Sequence, residues 1–314
     1  MRAENFYQMQ LNGLLAKRNY IRIVHFIKNL IYIVRLPNLI MLAGIQALIY
    51  FRLLDPEKMH LSMSLFFGLS FITVLIAAGG YVINDYYDRD IDKINKPGKV
   101  IAGTQWSLPE VKILYFILVC MGAILSVIFS LQLNLAAYLF IYPIAVCGLW
   151  FYSFALKCWP VLGNLWVALF CAGVVGIVVL PDRILNNTQH IKIEVWYYIA
   201  FAFLSTWYRE VVKDIEDMEG DKEAGCNTFL VSFGVNAGKM MALILCLFLI
   251  TSLIVWDSSQ SNRWIKSGLV ALQGLTVASM AFVWWARNNT FYHYASNVIK
   301  LVMLLGTALL LIPQ

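Results

Sequence analysis

Two acidic stretches carry the chemistry this sequence can do. The first reads Asn84-Asp85-Tyr86-Tyr87-Asp88-Arg89-Asp90-Ile91-Asp92. On a helix Asp85, Asp88 and Asp92 fall at i, i+3 and i+7, with Asn84 one turn before Asp88, so the four share a face. In the second stretch Glu210, Asp214, Asp217 and Asp221 follow i, i+4, i+7 and i+11, again a single stripe. Like charges stacked this way repel, more strongly where water is withdrawn, and a cation relieves them. Carboxylate and amide oxygens suit Mg²⁺, which takes few protein carboxylates and completes its shell with water and phosphate oxygens. The expected metal ligands are Asn84, Asp85, Asp88 and Asp92 on one side and Asp214, Asp217 and Asp221 on the other. A diphosphate gripped between two metal-loaded stripes satisfies that preference. A solvated loop with local lysine partners accounts for one such motif, but poorly for two on one membrane face.

The elements that hold these stripes are lipid-soluble helices. Of 314 residues, 61% are apolar and only 13% charged, against about a quarter charged in an ordinary globular chain. Residues 113–156 contain no Asp, Glu, Lys or Arg, which suffices for two spans of roughly 20 residues each. Nine spans are expected, over 36–54, 61–83, 110–131, 134–153, 161–180, 194–213, 239–256, 265–286 and 293–313. The runs are continuously apolar rather than alternating, which makes them helices and excludes a barrel. The expected fold is all-α, a polytopic membrane bundle of about nine transmembrane helices filling residues 36–314. Residues 1–35 form a separate basic segment that lacks the cleavage pattern of a signal peptide and reads as an interfacial amphipathic helix.

Charge gives an orientation. Most of the 24 Lys and Arg residues precede the first span or fall in loops on its side. The N-terminus and both acidic motifs are therefore expected in the cytoplasm, and nine spans put the C-terminus outside. The expected setting is a bacterial or archaeal cytoplasmic membrane. A net charge of +6 calls for no nucleic-acid partner, because anionic lipid headgroups account for juxtamembrane basic residues. The six cysteines show no metal-ligand spacing and are expected to be small apolar residues, in neither a disulfide nor a zinc site. His25, His60, His190 and His293 are scattered and receive no role.

Lys93, Lys99, Lys157, Arg209 and Lys213 are candidates to balance a diphosphate, with Lys96 as a third choice beside the first motif. Tyr152 joins them as a diphosphate contact. The faces of Tyr86, Tyr87, Tyr152, Trp207 and Tyr208 offer cation–π stabilisation of an allylic cation, although such residues are also ordinary at membrane interfaces. Arg35 and Asn38, at the first span, suit an anionic acceptor. Lys300, inside the last span, poses the same question with no motif around it.

The pair NDxxDxxxD over Asn84–Asp92 and DxxxD over Asp217–Asp221 resembles the signature of the UbiA superfamily of intramembrane prenyltransferases. Nine expected spans agree with that family's nine-helix bundle. Arg35-Leu36-Pro37-Asn38 resembles its RxxN element, and Tyr152 to Lys157 followed by Gly163-Asn164 resembles the element after its fourth helix. The stretch from Tyr208 to Asp221 is most similar to archaeal-type digeranylgeranylglyceryl phosphate synthases. The resemblance implies Mg²⁺-dependent ionisation of a prenyl diphosphate, of the geranylgeranyl type. A hydrophobic or amphiphilic acceptor, a glyceryl-phosphate lipid precursor, then captures the cation in a dry cavity fed from the bilayer. One departure stands out. Where the family often carries Arg-Pro before Pro-Ser-Gly, this chain reads Lys99-Val100-Ile101-Ala102-Gly103-Thr104, which keeps the charge but not arginine's bidentate geometry. Two alternatives stay open: the same transfer to an aromatic ring, as in quinone, haem or chlorophyll-type biosynthesis, and a cation-coupled transporter. Acids at one face and the lack of an inverted repeat weigh against the transporter.

Overall fold

The computed structural model describes residues 2–55, 57–95, 98, 100–185, 188–189 and 191–313, with side chains from residue 17 onward except Asn95. The basic segment folds as α1 (Arg2–Ile33), and long apolar runs follow in α2 (Leu36–Leu53), α3 (Met63–Asn95), α4 (Leu108–Leu133) and α5 (Tyr138–Phe154). After a short 3-10 turn (Leu156–Cys158) come α6 (Leu162–Gly176), α7 (Leu180–Ile184), α8 (Glu194–Glu223), α9 (Phe229–Ser259), α10 (Arg263–Trp284) and α11 (Asn289–Ala308). Among the described residues there is no β-strand, only an isolated bridge between Ala102 and Trp106. The fold is a helical membrane bundle, as expected.

Each expected span lies on one of these helices. By length and composition α2, α3, α4, α9, α10 and α11 can cross a membrane, while α5 and α6 are apolar but shorter. Helix α8 is long, but its second half is given over to charge. That division has a functional reason. Both α3 and α8 continue unbroken past their apolar halves, so each acidic motif projects from the end of a rigid rod.

The breaks between helices are written locally. Arg35 adopts a left-handed conformation (φ 52°, ψ 51°) just ahead of Pro37 in the first turn of α2, and the proline disfavours continuation of α1 through it. Residues 17–28 of α1 are exposed along the segment entering this break, and Phe26 stacks on Trp106 at 5.1 Å. Helix α4 opens with a capping box of Ser107 and Glu110, and α8 stops before Gly225, whose φ of +73° a side chain would resist.

Small residues let the helices close up. A Cβ on Gly122 would lie 3.0 Å from Ile76, and one on Gly79 would lie 3.0 Å from Val119, so α3 and α4 meet across glycines. The core around α2, α3 and α8 to α11 includes Tyr50 stacked on Phe66 at 4.2 Å. Buried hydroxyls find partners: Tyr208 with Ser279 at 3.0 Å, and Tyr198 donating to the Gly306 carbonyl at 3.1 Å. These bonds fasten α8 to α10 and α11. The outer faces stay apolar, with Phe116, Ile124 and Phe248 exposed.

One expectation fails here. Cys158 and Cys226 form a disulfide, with their Cα atoms 4.6 Å apart and 68 residues between them in sequence. Spacing could not show this, because the turn after α5 and the segment after α8 meet only in the folded bundle.

Candidate active site

A single cavity of about 1280 Å³ runs into the bundle, and both acidic stripes line it. Helix α3 contributes Asn84, Asp85, Asp88 and Asp92, and α8 contributes Arg209, Glu210, Lys213, Asp214, Asp217 and Asp221. Tyr152 enters from α5, Lys157 from the 3-10 turn, Asn38 from α2, and Arg35 from the break before it. One expected contact is not brought in: Lys93 points outward and pairs with Asp90 at 2.9 Å. Lys99, like Lys96, lies outside the described residues. Away from the acids the walls turn mainly apolar, with Ile45, Ile76, Leu149, Phe170 and Ile199, although Arg183 and Lys300 also line the cavity. This volume exceeds the roughly 300–1,000 Å³ of common small-molecule clefts.

Around α3 the polar contacts reach across the fold. The Arg35 guanidinium donates to Asp85 Oδ1 at 2.9 Å and to Asn84 Oδ1 at 3.3 Å, and lies 4.9 Å over the Tyr81 ring. Asn84 donates to Asp88 Oδ2 at 2.7 Å, and Lys157 is ion-paired with Asp88. Around α8 the contacts are more local. Arg209 and Lys213 bind the two oxygens of Glu210 at 2.8 and 3.3 Å, and Asn164 donates to Asp214 Oδ2 at 2.7 Å. Glycine makes the last of these possible. A Cβ on Gly163 would meet the Leu156 carbonyl oxygen at 2.9 Å and Lys157 Cα at 3.0 Å, so α6 can start against the Lys157 turn only with no side chain there. The Cys158–Cys226 disulfide joins that turn to the end of α8, where the Cys226 N–H donates to the Asp221 carbonyl at 2.9 Å.

The model of the UbiA prenyltransferase family matches residues 47–305. The chain belongs to that family. Over 227 residues it is 35% identical to the digeranylgeranylglyceryl phosphate synthase of Saccharolobus solfataricus, spanning 71% of this chain and 75% of that protein. A solved structure described as digeranylgeranylglyceryl phosphate synthase in membranes superposes with a TM-score of 0.66 at 23% identity, over 91% of this chain and 98% of the other. A UbiA homologue from Archaeoglobus fulgidus bound to GPP and Mg²⁺ gives 0.58 at 16% identity, over 90% and 100%. The protein is thus a membrane prenyltransferase.

In this UbiA enzyme the charges at the cavity mouth are tuned by burial. Desolvation lowers the Lys157 ammonium to about 8, with Asp221 opposing. Asp214, one residue past the expected span, is pushed up to about 8 by burial and by Glu210 and Asp221, with Asn164 opposing. Among the described residues, no three Asp, Glu, His or Cys side chains already converge on one point. The donor set nevertheless fits Mg²⁺, which needs only a few protein oxygens, and a carboxyl driven towards protonation by burial and by its acidic neighbours is one that a divalent cation would relieve.

The aromatic residues need a correction. Of the five expected to face a carbocation, only Tyr152 lines the cavity. Tyr86 lies under Arg89 and Lys112, Tyr87 packs edge-on to Phe154, and Tyr208 is buried on Ser279. Trp207 borders a separate pocket with Leu204 and Met241. Tyr81, Trp166 and Phe170 line the cavity instead. Tyr81 had a readable signal, since it sits one turn ahead of Asn84 and Asp85 on the same face of α3. Asn164 had a weaker one in its place beside Gly163. Trp166 and Phe170 had none, because nothing local marks which side of α6 faces inward.

Proposed function

We propose that this UbiA enzyme moves an isoprenoid chain from a prenyl diphosphate, geranylgeranyl diphosphate, to a glyceryl-phosphate lipid precursor. The observation that carries the reading is the pairing of two acidic stripes, on separate helices, in one cavity whose other walls are mainly apolar. The name of the Saccharolobus relative and the GPP and Mg²⁺ in the Archaeoglobus homologue support it. Asn84, Asp85, Asp88 and Asp92 would hold Mg²⁺ on one side, and Asp214, Asp217 and Asp221 on the other. When bound there, Mg²⁺ would supply Lewis acidity to the leaving diphosphate. Lys157, Arg209 and Lys213 bind phosphate oxygens and fix the head of the donor. Tyr152 turns its ring to the allylic carbon, and the apolar walls hold the tail and keep water from the cation. Arg35 and Asn38 hold the acceptor's phosphate so that its hydroxyl oxygen forms the new bond to carbon and gives up its proton. By the bias of basic residues, the acidic mouth opens to the cytoplasm.

Incubating the purified enzyme with labelled geranylgeranyl diphosphate, Mg²⁺ and a panel of acceptors tests this. Labelled ether lipid with a glyceryl-phosphate acceptor, together with released diphosphate, is the expected result. Product with aromatic acceptors alone would replace the acceptor assignment by ring prenylation.

A further inference from the structure

The side chains of α3 that would ligate the metal are already engaged by basic side chains of other elements. Arg35 holds Asp85 and Asn84 from the break between α1 and α2, and Lys157 holds Asp88 from the turn between α5 and α6. Both cations sit on irregular backbone, where a side chain can be re-aimed without moving a helix. Both also line the cavity, so each has phosphate-binding space within reach. Arg35 lies against Tyr81, and the Tyr81 and Asn38 side chains are hydrogen-bonded to each other. Lys157 stands in the field of Asp221 across the cavity.

Resting on the metal–diphosphate reading above, we propose that Arg35 and Lys157 are exchangeable counter-ions. They neutralise Asp85 and Asp88 until metal and diphosphate bind, then yield those oxygens and take phosphate oxygens instead. Lys157 goes to the diphosphate and Arg35 to the anionic group of the acceptor. The driving force is electrostatic. A row of carboxylates in a half-buried site is costly without a counter-charge, so each basic partner is held while no stronger cation competes. A divalent ion at the same oxygens removes that attraction and repels the ammonium and guanidinium. The phosphate groups that arrive with the metal are the nearest anions to receive them. Because Arg35 is freed only when Asp85 is taken, the acceptor binds after the metal–diphosphate.

Two titrations on Lys157→Gln and Arg35→Gln test the exchange. With Mn²⁺ alone, followed by electron paramagnetic resonance, both variants should bind the ion roughly tenfold more tightly than wild type, since a competing cation is gone. With inorganic pyrophosphate and Mg²⁺, Lys157→Gln should bind pyrophosphate roughly tenfold more weakly. The opposite signs are the signature, and the outward-facing Asp90→Asn should leave both titrations unchanged. Weakening in both titrations would make Lys157 a structural prop. Tightening in both would mean that it never reaches the phosphates. Either result overturns the exchange. Wild-type protein gives an independent check through acylation of the Lys157 amine, read by mass spectrometry. Labelling should be slow without ligand, faster with Mn²⁺, and slow again with Mg²⁺ and pyrophosphate; a rate indifferent to Mn²⁺ sinks the proposal. Wild type that binds neither Mn²⁺ nor pyrophosphate would overturn the metal–diphosphate reading itself, and the exchange with it.

Discussion

The acids of α3 and those of α8 face the same cavity, yet they are balanced by different means. On α3, Asp85 and Asp88 take cations from other parts of the chain, Arg35 and Lys157. On α8, Glu210 is paired with Arg209 and Lys213 of its own helix, and Asp214 accepts from the neutral amide of Asn164. The cause is position. The end of α3 lies beside two breaks in the helical architecture, where irregular backbone delivers basic side chains. The end of α8 carries its basic residues at neighbouring positions on the same rod. Counter-charges on a helix can swing only about a fixed Cα, whereas those on turns can also move with their backbone. Under the exchange proposed above, α3 is the half expected to respond more to ligand, and α8 the half expected to change less.

Removing one carboxylate from each stripe gives the largest expected effect. Asp88→Asn and Asp217→Asn should each lower Mg²⁺-dependent diphosphate release by about 10³-fold, the scale of losing a main electrostatic contact to developing charge. Near wild-type turnover in either variant would remove that stripe from the metal centre. A smaller but broader effect is expected at Gly163, which touches the Lys157 turn and precedes Asn164, and so serves both stripes at once. Gly163→Val should reduce kcat by about 10²-fold, because displacements near 1 Å at a reacting centre cost that much. Circular dichroism of the variant should still show a folded bundle. Gly163→Ala should fall between the two. Undiminished kcat in Gly163→Val would show that the turn is held by other contacts.

How much of this could be read from the chain follows from which features are local. Helical spacing is a local property, so the faces of Asp85-Asp88-Asp92 and Glu210-Asp214-Asp217-Asp221 were readable, as was the all-helical membrane bundle. Which segment of the fold arrives opposite them is not local. Lys93 sits within the first motif's reach in sequence, yet its three-residue offset from Asp90 pairs the two on the outer side of α3. Asn164 reaches Asp214 from 50 residues away, and Cys158 meets Cys226 from 68. The aromatic residues make the same point. Tyr86 and Tyr87 adjoin the acids in sequence but rotate away from the cavity, whereas Tyr81, one turn earlier, keeps the acids' face. A helix ranks neighbours by angle before distance along the chain.

The smallest expected effect separates the stripes by their protons. Asp214 is pushed up to about 8, so near neutral pH its carboxyl holds a proton that a binding cation must expel. Cation affinity should therefore rise with pH and flatten above about 8, by at most roughly tenfold per pH unit for one proton. Lys157, lowered to about 8 by burial, works in the same direction on α3, since losing its charge frees Asp88. Mn²⁺ titrations between about pH 6 and about pH 9 in wild type, Asp214→Asn and Lys157→Gln divide the two contributions. Asp214→Asn should flatten most of the slope. Asn164→Leu removes the amide that favours the carboxylate and should move the plateau to higher pH. A slope that survives Asp214→Asn but vanishes in Lys157→Gln would assign the proton to α3. The contrast would then invert, because α3 would respond by titrating in place rather than by exchanging partners.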